Sequence, residues 1–137
     1  TQMSYSNTEA ALQKWHDMIE SRDMSILNDL LADDVVFRSP VAFKPYEGKP
    51  VVTFILSNVI QVFENFTYHR QFSTEDQQSI VLEFSANVSE KQLKGIDMIR
   101  FNEEGKIVDF EVMIRPLSGL NALAAQMGER IKLFNAG

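Results

Sequence analysis

One carboxylate interrupts an otherwise apolar strand face: Asp97, in the stretch GIDMIRFNEEGKIVDFEVMIRP over residues 95–116. Strand side chains alternate between faces, so Asp97 shares its side with Gly95, Ile99 and Phe101. If Phe101 pairs near Val108 across the turn, then Val108, Phe110, Val112 and Ile114 complete that side. A carboxylate placed there loses hydration, so its proton affinity rises unless hydrogen bonds support the charge. Held protonated, it becomes a strong donor toward a developing oxyanion. An ordinary buried aspartate, satisfied by backbone or by a Trp or Tyr, leaves the same sequence signature, and spacing does not separate the two.

Other groups with chemical capacity are fewer. His69 in FTYHRQF could serve as a pocket base, since histidine titrates in the useful range, but its strand position equally suits an edge or surface site. His16 flanks Trp15 on the first helical stretch, at the margin of that helix's apolar face. Glu83 interrupts an apolar strand between Val81, Ser85 and Asn87, which places it on the outer face in an ion pair. Arg115 precedes Pro116 at a strand end, where it could meet an anionic ligand or pair with an acid. Tyr46, in the loop KPYEGKP, could close over a pocket mouth. The opposite face of the hairpin collects Met98, Arg100, Asp109, Glu111 and Met113, and the register sets Arg100 opposite Asp109 as a cross-strand charge pair.

Composition removes several function classes. The chain of 137 residues carries 13 Lys and Arg against 19 Asp and Glu, a net charge of −6, which disfavours nucleic acid and anionic membrane surfaces as partners. There is no Cys and there are two His, so thiolate chemistry and Cys-ligated zinc are excluded and a His-rich metal site is not expected; the enzyme reading reached below uses no metal and no cofactor. No apolar run approaches the roughly 18 residues of a membrane span. The N-terminus lacks a charged-then-apolar leader pattern, so a cytoplasmic location is the expectation.

These side chains need a scaffold. The spacing of Ala11, Leu12, Trp15, Met18 and Ile19 predicts a helix over 8–21, with Ser6, Asn7 or Thr8 as its cap. Asp23 and Ser25 could cap a short second helix through Leu31. DDVVFRSPV reads as a short strand ended by Pro40, and Pro50 suits the first turn of a helix over 50–63 carrying Val51, Phe54, Ile55, Val59 and Val62. The period then changes, giving strands over 65–73, 79–89, 93–101 and 106–115. Leu120, Leu123, Ala124, Met127 and Ile131 predict a last helix capped by Ser118, its Met127–Ile131 stripe packing in a core or interface. Residues 1–137 thus read as a single α+β domain, with helices on one face of a strongly bent antiparallel sheet.

KWHDMIESRDMSILNDLLADDVVFRSPV, with IDMIRFNEEGKIVDF, resembles the nuclear transport factor 2 superfamily, in particular its ketosteroid-isomerase and SnoaL-like polyketide-cyclase branches. The resemblance implies a cone-like α+β barrel around a deep apolar pocket that binds a small hydrophobic molecule, and a homodimer packed through the outer sheet face. It implies Asp97 as the catalytic group, where the ketosteroid-isomerase family keeps a neutral aspartic acid. It implies a pocket lined by Trp15, Phe37, Ser39, Phe54, Leu82, Phe84, Ile99, Phe101, Phe110, Val112 and Ile114. The family's helix-one tyrosine falls on Trp15, whose indole donates but does not exchange a proton. Its general-base aspartate falls on Ser39, which has no useful basicity near neutral pH, so the standard steroid-isomerase mechanism lacks its base. A SnoaL-like cyclase depends on an acid at the Asp97 position, which is present. Limonene epoxide hydrolase, another relative, needs an Asp–Arg–Asp set; Asp97 and Arg115 are present, without a second inward acid.

Two readings follow. One is an acid–base enzyme of isomerase or cyclase type, in which Asp97 lines an open cavity with a raised pKa. The other is a non-catalytic ligand-binding or dimerisation module, in which Asp97 is covered or the pocket is filled by Phe37, Phe54 and Phe84.

Overall fold

The computed structural model describes residues 2–136, and the side chains of residues 7–131. Helix α1 spans Gln2–Ser21 and is followed by a 3₁₀ turn, Met24–Ile26, and a single α-helical turn, α2, Leu27–Leu30. Asp23 caps the 3₁₀ turn, its side chain accepting from the Ser25 amide. Because α1 begins at Gln2, residues 6–8 lie inside the helix rather than at its cap. The Asn7 side-chain amide instead donates to the Glu103 carbonyl and ties the helix to a hairpin turn at 2.8 Å.

Strand β1, Leu31–Arg38, stops before Pro40. The loop predicted around Tyr46 contains a two-residue strand, β2, Tyr46–Glu47. Helix α3, Lys49–Val62, has proline in its first turn and buries Val52, Ile55, Leu56, Ile60 and Val62. Val51, expected inward, faces solvent. Four long strands follow: β3 Glu64–Ser73, β4 Ser79–Val88, β5 Lys91–Phe101 and β6 Ile107–Arg115. Helix α4, Leu117–Ala136, closes the chain; it starts one residue before Ser118, which therefore lies in its first turn rather than at its cap.

The six strands form one curved, unclosed sheet in the order β2-β1-β6-β5-β4-β3. Its neighbours are antiparallel except for β1, which runs parallel to β6. That pairing departs from the all-antiparallel expectation. It needs a long crossover, here the whole stretch from α3 to β5. The apolar alternation of β4 holds throughout: Ile80, Leu82, Phe84, Ala86 and Val88 are all buried. The helices cover this concave face, and two linked clusters of buried side chains fill the space between.

The hairpin register sets Ile99 opposite Phe110, Asp97 opposite Val112 and Gly95 opposite Ile114. Beyond Arg100 a bulge changes the parity, so Phe101 pairs with Ile107 and not with Val108. Ile107 is accordingly the buried residue. Gly95 sits where a Cβ would come within 2.4 Å of the Met113 carbonyl oxygen and 2.8 Å of Phe84 Cζ. Its missing side chain leaves room for the Phe84 ring over β5.

On the convex face, Glu83 accepts from Arg70 at 2.7 Å and meets Lys94 at 3.0 Å, as its outward parity predicts. Those two cations hold the Glu83 carboxyl well below the usual carboxylate range. Arg100 does stand opposite Asp109 in register, yet the two do not pair. Arg100 bonds Asp76 at 3.1 Å and Asp109 bonds Arg38 at 3.2 Å. The parallel neighbour β1 supplies Arg38, a partner that alternation along the hairpin does not reveal.

Candidate active site

Asp97 rises from the middle of β5 on the concave face and is 5% exposed. It lines a chamber of about 50 Å³ whose other walls are almost wholly apolar. Trp15 and Ile19 of α1, Leu56 and Val59 of α3, Phe110 and Val112 of β6, and Leu123 of α4 form most of that wall. The Trp15 ring packs on Phe110 with centroids 5.1 Å apart. Phe37 of β1 continues the stack at 5.9 Å.

Among the described residues, one hydrogen bond reaches the carboxyl: Tyr68 Oη, from β3, donates to Asp97 Oδ2 at 2.7 Å. Tyr68 Oη in turn accepts from Trp15 Nε1 at 2.9 Å. Burial pushes the Asp97 carboxyl up to about 7, and the bond from Tyr68 opposes that rise without cancelling it. Burial and the nearby Asp97 charge push the Tyr68 phenol well above its ordinary 10.0. Burial thus favours the protonated form of both groups, and the phenol donates to the carboxyl.

A second, wider cavity of about 370 Å³ adjoins the chamber and shares Phe37, Pro40, Val59 and Leu123 with it. Ser39, Tyr46, Phe54, Met127 and Ile131 line this outer mouth. The Met127–Ile131 stripe thus forms part of the mouth, beyond simple core packing. An apolar outer cavity thus lies beside the inner chamber that Asp97 lines, with Phe37, Pro40, Val59 and Leu123 common to both.

The residues expected at the pocket divide into three groups. Trp15, Phe37, Asp97, Phe110, Val112 and Ile114 meet around the chamber. Ser39 and Phe54 stand in the outer mouth. Leu82, Phe84, Ile99 and Phe101 share the concave face but reach neither space; they are buried in the packed core. Alternation assigns a face, and it does not say where along that face the core stops and a cavity starts.

Tyr68 is the functional group that sequence reasoning passed over. Its signal was the two-residue spacing with Phe66, which turns both inward and His69 outward. His69 Nε2 lies 2.7 Å from Ser85 Oγ on the exposed side. His16 packs edge-on against the Tyr68 ring at 5.2 Å and lines a groove outside the chamber. Burial lowers its pKa, with the Asp17 charge opposing. Arg115 lies on the outer grooves of the sheet, away from Asp97. Among the described residues, no three His, Asp or Glu side chains converge as a metal ion would need, and no helix is long and apolar enough to cross a membrane.

The model of the SnoaL-like domain matches residues 12–110. A steroid delta-isomerase from Pseudomonas aeruginosa is 57% identical, with 96% of each chain covered and a TM-score of 0.94. An uncharacterised protein with a cystatin-like fold from Silicibacter pomeroyi is 34% identical, with 89% of this chain and 85% of that one covered and a TM-score of 0.83. A nuclear transport factor 2-like protein of unknown function from Mesorhizobium loti shares the fold at 14% identity, with a TM-score of 0.71 over 81% of this chain and 93% of that one. No curated protein matches the chain. With most of its length matched by the domain model and the fold shared throughout, the chain belongs to the SnoaL-like domain family.

Proposed function

We propose that this protein is a cofactor-independent acid–base enzyme of isomerase or cyclase type, acting on a hydrophobic carbonyl or polyketide-like compound with Asp97 as its acid. The observation that carries the reading is a single carboxyl, raised to about 7, lining an apolar chamber. A general acid works best when its pKa lies near the working pH. Neutral Asp97 donates its proton to the substrate carbonyl oxygen, and the carboxylate left behind accepts a proton from the carbon next to that carbonyl. The substrate leaves as its enol, or reacts onward through it, and Asp97 ends protonated as it began.

The name of the Pseudomonas aeruginosa relative supports a steroid-like ketone as one substrate body. Ser39 argues against the standard isomerase route, because it stands in the outer mouth and offers no base. Wild type and Asp97→Asn should therefore be compared on a 3-oxo-Δ5-steroid and on a hydrophobic β-diketone. Conversion of either compound by wild type, lost in the variant, supports the reading; equal rates in the two proteins overturn it.

The alternative, a non-catalytic ligand-binding module, draws on the small volume of the inner chamber and the near-complete cover over Asp97. Under that reading the compounds bind in the outer mouth and are released unchanged.

The convex face of the sheet supports homodimerisation. Phe72, Met98 and Met113 are 53%, 37% and 48% exposed there, among charges already paired within the chain. Sedimentation at micromolar concentration should give twice the 15.6 kDa chain mass, and Met113→Glu should return it to the monomer. A monomeric wild type would remove the dimer from the account.

A further inference from the structure

The two oxygens of Asp97 stand in different surroundings. Oδ2 accepts from Tyr68 Oη, and Tyr68 Oη accepts from Trp15 Nε1. An indole N–H only donates, so the direction of this chain is fixed. With Trp15 on one lone pair, the single phenol proton points at Oδ2. Among the described residues no hydrogen bond reaches Oδ1. Nor is Oδ1 one of the sealed, unpartnered side-chain oxygens, which are Thr8 Oγ1 and Thr53 Oγ1. Oδ1 is therefore not sealed, on a side chain that lines the chamber.

We infer that Trp15 and Tyr68 form a one-directional anchor that reserves Asp97 Oδ1 as the oxygen that carries and exchanges the working proton. A proton on Oδ2 would face the phenol proton, donor against donor, so protonation falls on Oδ1. The chain also ends at Trp15, whose indole proton does not exchange as an acid, so nothing resupplies Oδ2 from behind. A carbonyl must then approach from the Oδ1 side. The inference rests on the carbonyl chemistry proposed above, in which Trp15 and Tyr68 are positioning residues and Asp97 is the catalytic residue.

The charged surroundings leave this anchor in control. Among the described residues, Tyr68 from β3 is the one other titratable group at the chamber. His16, Glu20 and Arg22 of the α1 side line the separate groove behind Tyr68. From β4, β6, α3 and α4, no described charged side chain lines the chamber.

The test is the titration of the Asp97 carboxyl, followed by NMR with ¹³C-labelled aspartate and assigned by its loss in Asp97→Asn. Tyr68 donates to the carboxylate, so Tyr68→Phe should move the midpoint to higher pH by about one to two pH units. Trp15→Phe releases the phenol to turn and should move it the same way by less. Circular dichroism checks that each variant folds. Where either fails to fold, fluorotyrosine incorporated in place of tyrosine makes the phenol a stronger donor and should lower the midpoint. An unmoved midpoint in folded Tyr68→Phe, or in the fluorotyrosine protein, overturns the anchor. The turnover comparison of wild type with Asp97→Asn is independent of this result, so the anchor and the proposed enzyme can fail separately.

Discussion

Replacing Asp97 with asparagine is expected to lower turnover of a carbonyl substrate by about 10²–10⁴-fold, the range a positioned general acid or base contributes. Asparagine keeps the shape of the side chain, and its oxygen can still accept from Tyr68 Oη, so the aromatic frame of Trp15, Phe37 and Phe110 stays in place. It cannot give up a proton and take it back. Nothing else at the chamber replaces that capacity, because Tyr68 is held well above its ordinary range and the remaining described lining is apolar or indole. Binding should change much less than turnover under the proposed reading, in which the substrate body sits in the outer mouth, since Asp97 does not line that mouth. Steady-state kinetics separates the two effects: the fall should appear in kcat, with KM nearly preserved. A variant with full turnover would take Asp97 out of the mechanism.

The same substitution is expected to stabilise the protein above neutral pH. The folded state holds the Asp97 carboxyl at about 7 against an ordinary 3.8, and burial is the leading cause. A raised carboxyl favours the fold while it is protonated. That contribution is complete below the unfolded value and is lost as pH rises through the folded one. The interval is about three pH units at roughly 1.4 kcal/mol each, so on the order of 4 kcal/mol disappears between about pH 4 and pH 7. Asp97→Asn carries no such titration. Urea unfolding at pH 8 should therefore find the variant more stable than wild type by a few kcal/mol, while at pH 4 the two should nearly coincide. Carboxylates paired with cations, such as Glu83, add the opposite slope at low pH, and they do so equally in both proteins. Equal stabilities at pH 8 would show that the fold does not strain against the Asp97 charge.

These two effects explain why a buried carboxylate so poorly supported is informative. Asp97 receives one hydrogen bond from the described residues, where a structural aspartate would commonly gather two or three from backbone amides. Burial disfavours the charged form of Asp97, and the single bond from Tyr68 offsets that only in part. Such local conflicts concentrate where function demands them.

Much of the scaffold was legible because its signals are local. Ile80, Leu82, Phe84, Ala86 and Val88 declare β4 by alternation alone, and Pro50 marks the start of α3 within a residue. Asp97 was placed correctly on the concave face with Phe110, Val112 and Ile114, since the register there runs unbroken from Gly95 to Arg100. Legibility failed where the determinant is not local. The bulge after Arg100 exchanges Ile107 for Val108, and no period-two pattern anticipates an extra residue. Asp109 pairs with Arg38 because β1 lies parallel against β6, a neighbour 71 positions away in sequence. Tyr68 escaped for a related reason. Its parity with Phe66 turned it inward, but its bond to Asp97 depends on how far β3 curls over β5 across β4.

In the proposed reading Asp97 exchanges a proton near neutral pH inside an apolar chamber, and titrating the carboxyls of the wild-type protein decides whether it does. With ¹³C-labelled aspartate, one carboxyl resonance, absent from Asp97→Asn, should titrate with a midpoint near 7. If every aspartate carboxyl of the folded protein instead titrates at or below its ordinary 3.8, Asp97 is a permanently charged structural residue and the acid–base account is contradicted.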